Sequence, residues 1–401
     1  MRVKVKDLTN IWKCSSLYIF MVLFGQLSGI FIPVSITKVF VLYLLMMTVL
    51  GMAENNIVFN LPVLVFALCG FAFCITYFIF LREVFSYVYP GVIVLLFAYL
   101  YLCNYSTVRE SVNLDAINKG ILVYAIMNIF LYLIRFEAVF QNNGIELQFK
   151  GALPHTNMFG IVALSLFVAI FWINNIISMI NRILLTLLIF VSMSRTYILC
   201  VLAIWLIWLG TFIWKNISFW LKAFWGVLFL LIAGTSIFNR MISVIPSMVR
   251  FKTTLFGGNG RQYLEASYRN VIHSSSLMEK TAALGMPQKY LAGIEVEFSH
   301  SFTENSYAGI FLLFGIWGAV LLGLILFKTI KYSKSGQAVL IIIIYLSSLM
   351  LQDTLLSVQT GILFFFSLAI MLNCGTLNQR QKVKIRLQNS FWGIGQRKET
   401  L

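Results

Sequence analysis

The sequence predicts an all-α polytopic membrane protein with about 12 transmembrane helices. Three observations carry that expectation. Hydrophobic residues make up 60% of the 401 positions and charged residues only 11%, against roughly a quarter charged in soluble domains. Apolar runs recur at a length of about 20 residues, which suits a helix crossing roughly 30 Å of hydrocarbon, whereas barrel strands alternate over about 10 residues. Lysine and arginine gather between these runs and at both ends of the chain, as the charge rule for membrane topology requires. The formal net charge of +16 is therefore read as membrane orientation, with no nucleic acid as partner.

In chain order, Arg2, Lys4, Lys6 and Lys13 precede a first span at Ser16–Pro33 and favour a cytoplasmic start. That run is followed by further spans and has no small-residue cleavage site, so it reads as a retained anchor. Spans follow at Val39–Ala53, Leu61–Leu81, Phe85–Cys103, Gly120–Arg135, Asn157–Ile173, Ile176–Ser192, Thr196–Trp214, Ser218–Phe238, Tyr307–Phe327, Ala338–Leu351 and Leu355–Leu372. The chain is then a single membrane domain over 1–401, with a large extracytoplasmic loop at 239–304 between the ninth and tenth spans. A basic cytoplasmic tail occupies 375–401, with Phe391 and Trp392 as interface residues, and both termini are cytoplasmic. Counted this way 18 of the 30 basic residues lie inside and 12 outside, seven of those in the long loop. The register is tightest between Asn174 and Trp214, where two spans just fit and Arg195 falls at a very tight outer turn. A tilted span plus an interfacial helix there would change the parity, which sets a range of about ten to fourteen spans. The six cysteines avoid the long loop, so neither a disulfide framework nor a thiolate zinc site is expected.

Chemistry-bearing residues cluster in the outer segments. Arg195, flanked by Ser194 and Thr196, presents a guanidinium fork suited to phosphate oxygens beside bilayer depth, where an arginine costs several kcal/mol. The bland alternative is a cap that snorkels to the interface. Lys150 and His155 stand just before a span. Lys150 suits an anionic headgroup and His155 a proton carrier, or the histidine is a local cap or surface residue. In the long loop Arg261, Glu265 and Arg269 repeat at i, i+4 and i+8; a helix would align them as a salt-bridge ladder or as a basic face toward pyrophosphate. From Glu304, helical rotation brings Ala308, Phe311, Gly315 and Gly318 to one face, which would turn the carboxylate toward the bundle if the glycines admit a close neighbour. Plain N-terminal capping by Glu304 is the alternative. His300 lies one turn earlier. No acidic pair or histidine cluster has convincing ligand spacing, so neither a metal nor another cofactor is expected. Glycine- or proline-broken helices of the transporter kind are not evident.

These segments resemble the O-antigen ligase and polymerase (Wzy-type) family of bacterial polysaccharide assembly. The resemblance rests on K-G-A-L-P-H-T-N-M-F-G at Lys150 to Gly160, S-M-S-R-T-Y-I-L around Arg195, G-R-Q-Y-L at Gly260 to Leu264 and Leu284–Gly285. It also rests on Glu304–Asn305 followed after nine residues by G-I-W-G at Gly315 to Gly318. It covers about Lys150 to Gly318. Two departures stand out: Glu304 occupies the place of the ligases' histidine, and Lys150 that of a common arginine.

The resemblance implies a membrane glycosyltransferase of the GT-C type in the bacterial cytoplasmic membrane, with an undecaprenyl-pyrophosphate-linked oligosaccharide as donor. The acceptor is a sugar hydroxyl of another lipid-linked repeat unit on the outer face. A chain-length regulator and a flippase are its implied partners, besides the lipid bilayer. Arg195, Arg261 and Arg269, helped by Lys150, are then the cations for the leaving pyrophosphate, with His155 and Asn305 at the substrate. Glu304 is the first choice as general base and His300 the second. The glutamate in place of histidine tilts the reading toward polymerase rather than ligase. A lipid-linked oligosaccharide flippase is the competing class, and charges lining a midplane pathway would favour it.

Overall fold

The computed structural model describes residues 61–80, 82–103, 114–142, 147–153, 155–173, 175–216, 260–283, 285–293, 305–333, 335–351, 354–357 and 360–372. Helix accounts for 85% of them. The expected spans at Ser16–Pro33, Val39–Ala53 and Ser218–Phe238 and the tail at 375–401 lie outside the described residues. The helices are α1 Leu61–Phe80, α2 Arg82–Cys103, α3 Leu114–Leu133, α4 Thr156–Ile170, α5 Ile176–Val191 and α6 Arg195–Asn216. Three more, α7 Gly260–Ser274, α8 Leu277–Ala282 and α9 Met286–Ala292, belong to the long loop. Then come α10 Ser306–Tyr332, α11 Gly336–Ser347, two 3-10 turns at Ser348–Leu351 and Thr354–Leu356, and α12 Thr360–Leu372. Among the described residues one helix, Ser306–Tyr332, is long and apolar enough to cross a membrane, and shorter apolar helices accompany it.

Outside the long loop each described helix begins within six residues of an expected apolar run, but burial sorts them into different roles. In α4 nearly every residue from Phe159 to Ile170 is buried, and α12 is buried just as completely. A helix apolar on all sides belongs at the centre of a bundle. There Tyr345 of α11 stacks on Phe364 of α12 at 4.0 Å between ring centroids, and its hydroxyl bonds Ser165 Oγ of α4 at 2.6 Å. Perimeter helices are striped instead. Beyond Gly315 α10 buries Gly318, Leu321, Leu322 and Ile325 and exposes Trp317, Val320, Leu324 and Phe327.

The helices alternate in direction, so their ends fall in two sets. At one end Asn175 caps α5 by accepting from Ser178 N at 2.7 Å, and Asn118 Nδ2 of α3 donates to Asn175 Oδ1 at 3.0 Å. There too Asn181 Nδ2 donates to the Asn118 carbonyl at 2.7 Å. The buried Arg182 donates through Nη1 to the carbonyl of Phe171, at the carboxyl end of α4, at 3.2 Å. A cation at that pole of the helix dipole is favourable. At the other end lie the starts of α4, α6 and α10. Gln337 Nε2 bonds Thr211 Oγ1 at 2.8 Å and Cys200 Sγ reaches the Ile344 carbonyl at 3.8 Å, so α11 runs antiparallel to α6 and finishes near its start. Tyr307 OH in turn donates to Leu346 O at 2.9 Å, bringing the start of α10 to the same end.

Two features depart from the sequence reading. A small antiparallel hairpin, Phe140–Asn142 paired with Leu147–Phe149, stands between α3 and α4. It is held by an aromatic cluster in which Phe149 meets Phe140, Tyr132 and Phe159 edge-on at 5.7, 5.7 and 5.0 Å. The second departure is in α10, which is not one straight helix. At Gly315 the backbone takes φ 62° and ψ −150°, a region essentially closed to residues with a Cβ, and the helix divides into 306–314 and 316–332.

Candidate functional site

The end that gathers the starts of α4, α6 and α10 carries most of the sequence-predicted site. Its centre is the turn between α5 and α6, where two helices meet at a tight turn at Ser192–Ser194 within the 174–214 stretch expected to hold two spans. Ser192 Oγ donates to the Ile189 carbonyl at 2.7 Å, and Met193 adopts φ 53°, which reverses the chain. Ser194 Oγ then donates to Asn157 Oδ1 at 2.8 Å, tying the turn to the first turn of α4. Nearby, Gly160 of α4 lies so close to the ring of Tyr197 of α6 that any side chain there would overlap it. The starts of α4 and α6 are therefore held side by side.

Arg195 is the first residue of α6 and is partly exposed. A cation at the start of a helix faces the positive end of its dipole, which opposes it by a few tenths to about 1 kcal/mol. Here two helix starts adjoin, and both present backbone N–H groups outward. Local rules are broken in this way where function requires it. The arrangement concentrates positive potential at one spot and is suited to hold an anion.

His155 sits at the N-cap position of α4 in extended conformation, and its side chain makes no cap hydrogen bond. Its ring is exposed. Lys150 follows the second strand, half-buried, with its backbone N–H on the Val139 carbonyl at 2.9 Å. Thr156 Oγ1 donates to Gln148 Oε1 at 3.4 Å, which fastens the hairpin to the start of α4. The hairpin that carries Lys150 and the helix starts next to His155 and Arg195 are thus linked by hydrogen bonds.

Asn305 is the N-cap of α10, with Oδ1 accepting from Tyr307 N at 3.0 Å and Ala308 N at 3.2 Å. Its carbonyl oxygen has a helix-capping role, the one the sequence reading entertained for the neighbouring glutamate. Glu304 and His300 lie outside the described residues. In the loop, α7 does form, so positions 261, 265 and 269 run along one side of a helix. Leu264, Ser267 and Val271 are buried and Arg269 is exposed; for Arg261 the helix fixes the position alone.

The glycines after Asn305 act differently from the sequence reading. Gly315 does not meet a neighbouring membrane helix. A Cβ on it would overlap the carbonyl of Lys280, and it would stand 2.7 Å from Thr281 O and 3.0 Å from Ala283 N. The carboxyl end of the loop helix α8 is thus seated on the break in α10. Tyr77 of α1, fully buried, lies over the same junction, its hydroxyl 3.3 Å from Leu313 O and 3.4 Å from Ala283 O. A break in a helix exposes carbonyls that must find partners, and Tyr77 supplies one. Because the helix turns at Gly315, the expected continuous face from Ala308 to Gly318 is interrupted. Neither the tyrosine's role nor the break was visible in the sequence, where a glycine in an apolar run signals close packing as readily as a kink.

The loop helices are braced by charge as well. Ser276 and Glu279 form a reciprocal capping box at the start of α8, and Lys289 of α9 binds Glu279 Oε1 at 2.7 Å. The lysine ammonium and the Ser276 bonds hold the Glu279 carboxyl down at about 2.

No protein-family model matches the chain, and no curated protein matches it either.

Proposed function

We propose that the protein is a polysaccharide polymerase, a membrane glycosyltransferase that elongates lipid-linked glycans on the outer face of the bacterial cytoplasmic membrane. In this reading the chain crosses the membrane about 12 times with both termini inside, and the end with the starts of α4, α6 and α10 faces outward. Large apolar side chains exposed around the perimeter support it, among them Phe71, Phe80, Phe130, Leu133, Trp317 and Phe327. Such extensive apolar exposure suits a lipid environment.

The observation that carries the proposal is the placement of Arg195 against its own helix dipole, beside a second helix start and fixed there by the Ser194–Asn157 bond. A guanidinium beside two helix starts suits an anion, and the pyrophosphate of an undecaprenyl-pyrophosphate-linked oligosaccharide is an anion of the right kind. Arg195 neutralises the charge that grows as the anomeric C–O bond to pyrophosphate breaks, with Lys150 and His155 beside it and Arg261 and Arg269 supplied by the loop. The acceptor hydroxyl oxygen forms the new glycosidic bond and gives its proton to a general base, Glu304 in first place and His300 in second. Products are the lengthened lipid-linked glycan and undecaprenyl pyrophosphate, and no metal is required. Asn305 holds the start of α10 next to that base. A ligase-type acceptor leaves the donor chemistry unchanged.

Loss of one anion-stabilising donor costs roughly 10²- to 10³-fold in rate. Arg195→Ala is accordingly expected to abolish polymer while membrane levels of the protein stay normal, as read by glycan gels and immunoblots of whole cells. Full-length polysaccharide in that variant contradicts the assignment. Glu304→Gln stops transfer while donor still binds; near-native turnover moves the base to His300 or to the substrate.

A further inference from the structure

We propose that the loop segment 277–293 re-enters the membrane beside the break in α10, and that Leu277 and Met278 at its edge touch the hydrocarbon chains of bilayer lipid. The inference rests on the membrane reading above and adds a lipid-contacting element to what would otherwise be a water-exposed loop.

Depth is the first argument. The carboxyl end of α8 sits on Gly315, the tenth residue of α10, about 14 Å along the helix from Ser306 at 1.5 Å per residue. Basic residues in α10 first appear at Lys328, so its apolar run of about 30 Å starts close to Ser306. Two neighbouring helices give independent rulers. Phe314 abuts Gly91, the tenth residue of α2 and likewise about 14 Å from its start. Tyr77, which touches both Leu313 and Ala283, lies about 5 Å from the end of α1. All three place the seat of α8 below the surface level marked by the helix ends.

The second argument is that the segment can tolerate that depth. Backbone at membrane depth must have its polar groups met or be buried in protein. The capping box closes the start of α8, Thr281 Oγ1 bonds the Leu277 carbonyl at 2.9 Å, and Ala283, Met286 and Tyr290 are completely buried. Of the segment's three charged side chains, Glu279 and Lys289 pair at 2.7 Å, which leaves a formal net charge of +1 with Lys280.

The third argument concerns what is left outside. Leu277 and Met278 are 76% and 77% exposed, the two most open apolar side chains of the loop helices. The end of α1, whose Tyr77 reaches Ala283 O past the carboxyl end of α8, also exposes Phe78, Ile79 and Phe80. Two large apolar side chains so open match lipid chains and not water.

The test places a nitroxide at single cysteines in the full chain, with the six native cysteines replaced, in phosphatidylglycerol–phosphatidylethanolamine nanodiscs. The sites are Met278→Cys, the adjacent Leu277→Cys, Ala266→Cys on the exposed side of α7, and Trp317→Cys on the exposed side of α10. Collision with oxygen is compared with collision with a water-soluble nickel chelate. At 277, 278 and 317 oxygen is expected to dominate, with the chelate several-fold less effective than at 266. Chelate dominance at 277 and 278 with oxygen dominance at 317 overturns re-entry and leaves the membrane reading standing. Chelate dominance at 317 as well overturns the membrane reading itself.

Discussion

Arg195 shows how a single residue can be read twice. Its type and its neighbours in sequence pointed to phosphate, while its helix position, visible only in three dimensions, adds that it stands where it lowers helix stability. Ser194→Ala removes the strap to Asn157, a half-buried hydrogen bond worth about 0.5–1.5 kcal/mol. Activity should fall with it, and Ser194→Thr, which keeps the hydroxyl, should restore most of it. The residue types at the proposed site were legible in the sequence because a phosphate-binding reading looks for them. Tyr77 was not, because a tyrosine in an apolar run looks the same whether it packs, or serves a broken helix more than 200 positions away.

At the scale of elements, the apolar runs located the helices from α1 to α6 to within a few residues, since length and hydropathy dictate them. Helices α8 and α9 and the hairpin before α4 were missed, because their short lengths leave no periodic signal. The break in α10 was misread for a related reason: the backbone angles of Gly315 depend on the loop seated against it. Gly315→Ala must adopt a conformation costing about 1–3 kcal/mol and also displace the Lys280 and Thr281 carbonyls. The expected result is a lower melting temperature in detergent and faster amide exchange across 277–292, while Gly323→Ala, in an open position of the same helix, leaves both unchanged. Acid should loosen the same region. The Glu279 carboxyl is held at about 2 against an ordinary 4.5, chiefly by Lys289, so the pair contributes stability that is complete above about pH 4.5. That stability fades as pH falls toward about 2. Amide exchange of 277–292 should quicken over that window, and Glu279→Gln should remove the pH dependence.

For the molecule as a whole, one end of the bundle is built for structure and the other is open to chemistry. Asparagines and the buried Arg182 lock α3, α4 and α5 together at the first end. At the second, the starts of α4 and α6 and the hairpin carry His155, Arg195 and Lys150, and a loop is anchored at the break of α10. The alternation of helix direction places the elements that carry these groups at one end of the bundle. Whether that side performs glycosyl transfer is decided most directly by the purified protein in liposomes given only undecaprenyl-pyrophosphate-linked repeat units. The account predicts lipid-linked glycans lengthened in whole repeat units, with undecaprenyl pyrophosphate released in step and both lost in Arg195→Ala. Repeat units that stay at their original length, or merely cross the bilayer unextended, contradict it.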